Sequence, residues 1–372
     1  MPPISVLIKP SSGMCNMKCD YCFYCDEMKK RMRESYGFMT EQTLKNVIRK
    51  TMFHAEGMIS YAYQGGEPTL RGIAFYEKAM EYQRHYNKCG IRVNNAMQTN
   101  GYLIDDEWCK FFRENHFLIG LSVDGTKQIH DLYRHGRRGE PTFDRIKKAA
   151  ELMDQYGVDY NILTVVTQKT AGHAAEIYNY YKEQGWKYQQ YIACLDPLGE
   201  DRGKTPYALN PEQYGMFLTE LLWYEDWKKG EQPYIRQFEN YIGILLGYQP
   251  ESCEQRGSCG IQNVVEADGS VYPCDFYALD EYKLGNFNCN RLEEIDKKRK
   301  EIAFVEQSQI VAENCKNCKF YKICKGGCRR NKDFNAMNGE YENYFCKSYR
   351  IFFDICLERM IQIVEIIKNQ KG

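Results

Sequence analysis

GMCNMKCDYCFYC, residues Gly13–Cys25, places four cysteines within eleven positions, directly after a short apolar run. Cys15, Cys19 and Cys22 form a C-x3-C-x2-C pattern, which differs from the paired C-x2-C spacing of zinc ribbons. Three thiolates on a short loop can ligate three irons of a four-iron cubane and leave the fourth iron open to a non-protein ligand. Cys25 forms a competing C-x2-C with Cys22, so a structural zinc site stays open as an alternative. The loop therefore predicts a metal centre, and an open iron would make that centre catalytic.

The composition limits the class of protein around this loop. The chain has 372 residues, enough for one large domain and a smaller one without disulfides. Its 17 cysteines are an odd number and no secretory leader is recognisable, so we expect reduced thiols in the cytoplasm, where clustered cysteines indicate metal or redox chemistry. Because 50 basic residues balance 50 acidic ones and the apolar runs are short or charged, we expect no nucleic-acid and no membrane partner.

Strand-like and helix-like segments alternate regularly from the start of the chain to about residue 195. The strand-like segments are ISVLIKP, MISYAYQ, IRVNNAMQT, HFLIGLSVDG, YNILTVVTQ and YQQYIA. Six strands separated by helices predict a parallel α/β sheet, open or closed into a partial barrel. Ligands of such folds bind at the carboxyl ends of the strands, so the polar segments QGGEP, QTNG, SVDG and ACLDPLG should converge on one site.

A second group of cysteines begins at Cys253. It supplies eight thiols, enough for two four-cysteine cubanes, although a pair of zinc knuckles would use the same ligands and stays open. Residues 196–252 look like a helical connection, and the segment from Tyr344 has apolar residues at helical spacing, which predicts a terminal helix. We expect the cysteines outside these patterns to be buried small side chains: Cys25, Cys89, Cys109, Cys194, Cys289 and Cys356.

Taken together, the motifs resemble those of the radical S-adenosylmethionine enzymes. CNMKCDYCFY resembles their cluster loop, and GGEP at Gly65–Pro68, by itself an ordinary turn, resembles the segment that receives the amino group of S-adenosylmethionine. The resemblance implies a partial (β/α)6 barrel in residues 1–233. It also implies S-adenosylmethionine contacts at Tyr21, Gly66, Ser122, Arg134 and Leu195. Without the resemblance, Ser122 would be a strand-end turn residue and Arg134 a surface charge.

The C-terminal cysteine pattern resembles the SPASM extension of radical S-adenosylmethionine peptide-modifying enzymes. The resemblance implies a cysteine-rich domain in residues 234–372, including the terminal helix, that binds two auxiliary [4Fe–4S] clusters. The first cluster would be held by Cys253, Cys259, Cys274 and Cys328, and the second by Cys315, Cys318, Cys324 and Cys346. Together with the cluster on Cys15, Cys19 and Cys22, the implied cofactors are three [4Fe–4S] clusters and S-adenosylmethionine.

Within the SPASM group the chain is similar to the anaerobic sulfatase-maturating enzymes, and the segment that indicates this is YPCDFYAL, where Asp275 follows Cys274. Those enzymes oxidise a cysteine or serine in a C/S-x-P-x-R segment of a sulfatase to Cα-formylglycine with a 5′-deoxyadenosyl radical. The resemblance makes Asp275 the base that accepts the thiol or hydroxyl proton; taken alone, it would be a turn residue.

The resemblance also implies the partners. They are a sulfatase polypeptide and an electron donor such as flavodoxin or ferredoxin, and the protein would be a monomer. Two alternatives stay open: a SPASM maturase that cross-links or epimerises another ribosomal peptide, and a non-catalytic metal-binding module. The first of these often carries an N-terminal peptide-binding domain, for which a cluster loop beginning at Cys15 leaves no room, so the sequence favours sulfatase maturation.

Overall fold

The structure is a computed structural model that describes residues 3–337 and 339–371. The chain forms two compact units, each built from several segments of sequence. Residues 1–123, 130–161 and 261–303 form the first unit, and residues 124–129, 162–260 and 304–372 form the second. Among the described residues, no helix has the length and apolar character needed to cross a membrane.

A mostly parallel sheet forms the centre of the first unit. Its neighbouring strands are, in order, Gly285–Asn286, Ser270–Tyr272, Asn263–Val265, Ile4–Ile8, Met58–Tyr63, Arg92–Thr99 and Phe117–Ser122. The last five are parallel to one another, and Ser270–Tyr272 is antiparallel to both of its neighbours. A separate antiparallel ribbon pairs Met17–Cys19 with Arg134–Gly136. The four strands that the sequence predicts in this unit are confirmed.

Amphipathic helices connect these strands, as predicted. Helix Glu41–Phe53 begins at the expected cap, because the Thr43 amide donates to Thr40 Oγ1 at 3.1 Å. Its buried residues recur at helical spacing and include Leu44, Val47 and Ile48. The other α-helices of this unit are Phe23–Lys29, Ile73–Tyr86, Asp106–Glu114, Phe143–Tyr156 and Leu292–Glu301, and the 3₁₀ helices are Pro68–Arg71, Asp275–Tyr277 and Asp280–Tyr282.

The strand Asn263–Val265 is not predicted from the sequence. It joins the strand Ser270–Tyr272 to the strand Ile4–Ile8 in the sheet of the first unit. It pairs in parallel with the first strand, with Val264 opposite Leu7. Both side chains belong to a buried cluster with Tyr272 and Ala278. Three residues are too few to show a period-2 pattern, so the pairing has no local sequence signal. Its consequence is that the residues after Val265 lie beside the carboxyl end of Ile4–Ile8.

The second unit contains three parallel strands and most of the remaining helices. The strands are Asp159–Val166, which begins in the first unit, Tyr188–Ala193 and Tyr234–Ile235. A ribbon pairs Lys332–Asn335 with Glu340–Asn343. The helices are Gln168–Ala171, Ala174–Glu183, Pro211–Leu221, Tyr224–Lys229, Arg236–Leu245, Cys253–Arg256, Phe304–Ser308, Glu313–Lys316, Tyr321–Cys324 and the 3₁₀ helix Arg329–Asn331. The helix Lys127–Tyr133 contains residues of both units.

The predicted terminal helix is confirmed as Cys346–Lys371. It packs on the helix Pro211–Leu221, where a Cβ on Gly215 would lie 2.9 Å from the carbonyl oxygen of Ser348. The absence of a side chain at Gly215 therefore allows the two helices to approach closely.

All 17 cysteines lie among the described residues, and none of them forms a disulfide. Cys109, Cys194 and Cys356 are buried, as predicted. The prediction of burial is wrong for Cys25, Cys89 and Cys289, which are exposed. Cys89 and Cys289 occupy turns between regular elements, and such turns run over the protein surface; Cys25 lies on the short helix Phe23–Lys29.

Candidate active site and cluster sites

The cysteine loop that contains Cys15, Cys19 and Cys22 lies in the first unit, and all three thiols are half-buried. N–H groups point at two of the sulfurs. The Met17 amide lies 3.4 Å and the Asn100 side-chain amide 3.7 Å from Cys15 Sγ, and Arg134 Nη1 lies 3.8 Å from Cys19 Sγ. Such donors stabilise anionic sulfur and tune a bound cluster. The donor set therefore fits an iron–sulfur cluster held by these cysteines.

The loop thiols differ in their proton affinity. Burial, with a contribution from Glu67, raises the pKa of Cys15 to about 11, whereas a hydrogen bond from Cys25 lowers the pKa of Cys22 to about 6. Within the described ranges, no three His, Cys, Asp or Glu side chains are grouped closely enough to hold a metal ion. A cubane has no need of such convergence, because each of its thiolates binds a different iron.

The GGEP segment packs backbone to backbone on the cysteine loop. The Glu67 amide donates to the Met14 carbonyl at 2.8 Å. Gly66 has φ +55°, and a Cβ there would stand 2.2 Å from the Met14 oxygen and 2.6 Å from the Ser12 oxygen. Only glycine fits such a position, so this residue has a structural requirement in addition to the cofactor contact predicted for it.

The Glu67 carboxylate joins two of the polar strand-end segments. It is buried and accepts hydrogen bonds from the Thr69 amide at 3.0 Å, the Thr99 hydroxyl at 2.7 Å and the Asn100 amide at 2.8 Å. Burial raises the pKa of Glu67, and these hydrogen bonds act in the opposite direction. The predicted convergence of QGGEP and QTNG is confirmed by these contacts.

Four of the five residues predicted to contact S-adenosylmethionine lie in the first unit. Arg134 is only 7% exposed and its guanidinium lies 5.4 Å from the centre of the buried Tyr21 ring, so the alternative of a surface charge is wrong. Ser122 is the buried last residue of Phe117–Ser122. Leu195 lies in the second unit, two residues after Tyr188–Ala193, and is half-buried. Their roles toward the cofactor stay predictions.

Asp275 is the first residue of a 3₁₀ helix and is largely buried. Its Oδ1 lies 2.6 Å from the ammonium nitrogen of Lys9, and its Oδ2 accepts a hydrogen bond from the Gln64 side chain. Each oxygen of the Asp275 carboxylate therefore contacts another side chain. Lys9 is not among the predicted site residues, although its position directly after an apolar strand was an available signal. Gln64 was included only as part of the QGGEP segment.

A second buried ion pair lies in the same unit. Arg31 Nη1 and Glu266 Oε1 are 2.7 Å apart, and both side chains are fully buried. The Tyr24 hydroxyl donates to the same carboxylate, as does Ser12 Oγ at 3.0 Å. The sequence carried no local signal for this pair, because it depends on the unpredicted strand that places Glu266 beside the start of the chain.

The predicted ligands of the second auxiliary cluster lie together in the second unit. Burial, and then the neighbouring cysteines Cys346, Cys315 and Cys318, raise the pKa of Cys324 to about 12. Of the first auxiliary set, Cys253, Cys259 and Cys328 are neighbours in this unit: burial is the main cause of the raised pKa of Cys328, and the other two thiols contribute. Cys274 belongs to the first unit, two residues after Ser270–Tyr272.

Two loops that carry these cysteines are packed tightly together. Gly257, between Cys253 and Cys259, has φ +71°, and a Cβ there would lie 2.2 Å from the carbonyl oxygen of Lys325. The backbone amide of Arg330 lies 3.4 Å from Cys328 Sγ. A half-buried thiol with an amide directed at its sulfur, as at Cys328, fits cluster ligation, as on the N-terminal loop.

Two parts of the chain match known families. Residues 10–181 match the radical SAM superfamily, and residues 256–319 match SPASM, an iron–sulfur cluster-binding domain. The first match contains the cysteine loop and GGEP, and the second contains four of the eight C-terminal cysteines. Fold and cysteine sites thus define a radical SAM protein with a C-terminal SPASM domain.

The chain is also similar over its whole length to characterised members of this class. It is 46% identical over 370 residues to the cysteine-type anaerobic sulfatase-maturating enzyme of Clostridium perfringens (strain 13 / Type A), covering 99% of this chain and 100% of that relative. It is 31% identical to the serine-type enzyme of Bacteroides thetaiotaomicron, covering 100% and 93%. A solved structure of native anSMEcpe with bound AdoMet and Cp18Cys peptide superposes with a TM-score of 0.93 at 45% identity, covering 98% of this chain and 100% of that one.

The chain belongs to the anaerobic sulfatase-maturating enzymes. The α/β radical SAM fold with a C-terminal SPASM domain, which the sequence predicts, is confirmed.

Proposed function

We propose that this enzyme oxidises a cysteine in a C-x-P-x-R segment of a sulfatase polypeptide to Cα-formylglycine. The observation that carries the proposal is a carboxylate, Asp275, held by Lys9 and Gln64 directly after the thiol of Cys274. Identity falls from 46% with the cysteine-type relative to 31% with the serine-type relative, which supports cysteine as the preferred target.

The cofactors follow from the cysteine sets. Cys15, Cys19 and Cys22 would hold a [4Fe–4S] cluster with S-adenosylmethionine, for which Tyr21, Gly66, Ser122, Arg134 and Leu195 are the proposed contacts. Cys253, Cys259, Cys274 and Cys328 would hold one auxiliary cluster, and Cys315, Cys318, Cys324 and Cys346 the other. When bound, these groups would supply the radical chemistry for hydrogen abstraction at the substrate Cβ and a sink for one electron.

In this reaction the side chains of the protein orient the substrate and accept a proton. Asp275 takes the thiol proton, which requires a carboxylate within hydrogen-bond reach of the substrate sulfur. The Lys9 ammonium compensates the negative charge of that carboxylate in a buried setting. In sum the substrate loses a hydrogen atom, an electron and a proton, and water then replaces sulfur, which leaves as hydrogen sulfide.

The remaining assignments are proposals of the same kind. The radical SAM barrel comprises residues 1–233 and the SPASM domain residues 234–372. Flavodoxin or ferredoxin donates the electron, and the protein is a cytoplasmic monomer without a nucleic-acid partner. The free state of the cysteines supports the cytoplasmic location, and the balance of 50 basic against 50 acidic residues supports the absence of a nucleic-acid partner.

The test is an anaerobic incubation of the reconstituted enzyme with reductant, S-adenosylmethionine and a peptide that contains C-x-P-x-R. Matched peptides carry serine or alanine in place of the cysteine. We expect mass spectrometry to show formylglycine in the cysteine peptide, with 5′-deoxyadenosine formed, and no change in the alanine peptide. Formation of 5′-deoxyadenosine with both the cysteine and serine peptides unchanged would refute the proposal and leave the radical chemistry standing.

A further inference from the structure

Lys9 is the first residue after the strand Ile4–Ile8, and its side chain is completely buried. Its backbone amide donates to the Val265 carbonyl at 2.8 Å, which anchors it to the neighbouring strand. Burial of an ammonium is costly and is rare without a partner. The position therefore requires an explanation beyond packing.

The contacts of Lys9 converge on Asp275. The Lys9 nitrogen lies 2.6 Å from Asp275 Oδ1 and 3.7 Å from the centre of the Tyr24 ring. Across the described residues, neither this nitrogen nor this oxygen forms a hydrogen bond, so the contact between them is an ion pair. Each of the two charges thus depends on the other.

Gly65 makes room for this side chain. It has φ +86°, and a Cβ at this position would lie 2.7 Å from Lys9 Cγ. The first glycine of GGEP therefore lets the Lys9 stem pass, as Gly66 accommodates the cysteine loop. Gln64, the residue before this glycine, holds the other oxygen of Asp275.

The other buried charges near Lys9 and Asp275 neutralise each other. Arg31 and Glu266 form their own ion pair at 2.7 Å, and the Tyr24 hydroxyl donates to Glu266 while its ring faces the Lys9 ammonium. Buried ion pairs contribute little net stability compared with apolar residues of equal volume. A role in orienting the Asp275 carboxylate explains a buried lysine at this position better than a contribution to stability does.

We propose that Lys9 is a positioning residue that sets the orientation of the Asp275 carboxylate for proton acceptance. A carboxylate offers about four lone-pair directions; Gln64 occupies one on Oδ2, and the Lys9 ammonium lies 2.6 Å from Oδ1, which leaves further directions for the substrate. This inference rests on the proposed role of Asp275. Misplacing a reacting group by about 1 Å costs on the order of 10²-fold in rate.

The experiment compares Lys9→Met and Lys9→Arg with the wild-type holoenzyme. The control is Lys50→Met, which removes a lysine of the same unit that donates to the Phe287 and Asn290 carbonyls. For each protein we would measure iron content, kcat and KM for the cysteine peptide, and formylglycine formed per 5′-deoxyadenosine. For Lys9→Met we expect unchanged iron content and KM, and on the order of a 10²-fold lower kcat with a lower product ratio. Lys9→Arg, which retains the charge, should recover part of the ratio, and Lys50→Met should keep it.

A wild-type product ratio in Lys9→Met would overturn the proposal, as would equal effects of Lys9→Met and Lys50→Met. A thermal-unfolding cycle tests the pair without turnover: the Tm loss of Lys9→Met/Asp275→Asn should be smaller than the sum of the two single losses. If the Tm losses of the two single variants add up to the loss of the double variant, the two charges do not depend on each other and the proposal is overturned. By contrast, a wild-type enzyme that leaves the peptide unchanged refutes the proposed function, and the cycle still decides the coupling.

Discussion

Gly66 lies so close to Met14 that a Cβ on the glycine would stand 2.2 Å from the methionine carbonyl oxygen. This contact joins the GGEP segment to the loop of Cys15, Cys19 and Cys22 through backbone atoms, which cannot move aside as a flexible side chain can. The two segments can therefore pack this closely only because Gly66 has no Cβ.

Gly66→Ala should impair the N-terminal cluster loop. The variant combines a left-handed backbone, which costs a non-glycine residue about 1–2 kcal/mol, with a clash against the Met14 and Ser12 carbonyls. We expect a lower Tm and reduced iron retention after anaerobic reconstitution. The matched control is Gly157→Ala, since Gly157 has a left-handed backbone with φ +64° and its added Cβ would approach only the Arg113 side chain, at 3.9 Å. Equal losses in both variants would show that the contact with Met14 has no effect of its own.

Asp275→Asn should retain the clusters but lose the base. Removal of a positioned acid–base group lowers the rate by about 10²–10⁴-fold, so we expect formylglycine formation to fall by that order while iron content stays unchanged. The control is Asp280→Asn, in the same segment, where the carboxylate accepts from the Met32 amide at 2.8 Å and asparagine can do the same. Unchanged product formation in Asp275→Asn would exclude its role as the base.

Glu67→Gln should destabilise the first unit. Glutamine can keep one oxygen toward Thr69 and Thr99, but its amide nitrogen then faces the Asn100 amide, so a buried donor loses its acceptor. The expected cost is about 1–3 kcal/mol, measured as a lower Tm and denaturation midpoint. Glu77→Gln, on an exposed part of helix Ile73–Tyr86, is the control. A Tm equal to that of the control would contradict the structural role of the Glu67 carboxylate.

Because of His130, we expect the free energy of unfolding to be lower in mild acid than at neutral pH. Its side chain is fully buried beside Thr142 and Phe143, and burial, with Arg134 adding, lowers its pKa well below the ordinary value. The unfolded chain then binds a proton near pH 6.5 that the folded chain excludes, so the free energy of unfolding falls by up to about 1.4 kcal/mol per pH unit below that pH.

The measurement is the Tm of wild-type, His130→Gln and His173→Gln between pH 8 and 6, with cluster absorbance recorded at each pH. His173 is an exposed histidine and serves as the control. We expect His130→Gln to have a flatter pH dependence than the other two proteins. Identical slopes in all three would contradict the assignment to His130.

Local sequence signals were sufficient for the six predicted strands and the helices that alternate with them. Thr40 caps its helix as predicted, because a cap depends on residues three positions apart. The thiols of Cys315, Cys318, Cys324 and Cys346 lie near one another, and their role as cluster ligands stays a prediction. The burial of Cys25, Cys89 and Cys289 could not be predicted in this way, since exposure depends on what packs above a residue.

The sequence by itself determined the alternation of strands and helices and the family, because both are recorded in residue types at short spacing. The tertiary structure alone decided the surroundings of Asp275. The three-residue strand Asn263–Val265 pairs with Ile4–Ile8, and this pairing brings Glu266 to Arg31 and Asp275 to Lys9. Contacts between residues so distant in sequence leave no periodicity in either segment, so only the folded chain shows that a buried lysine holds the proposed base.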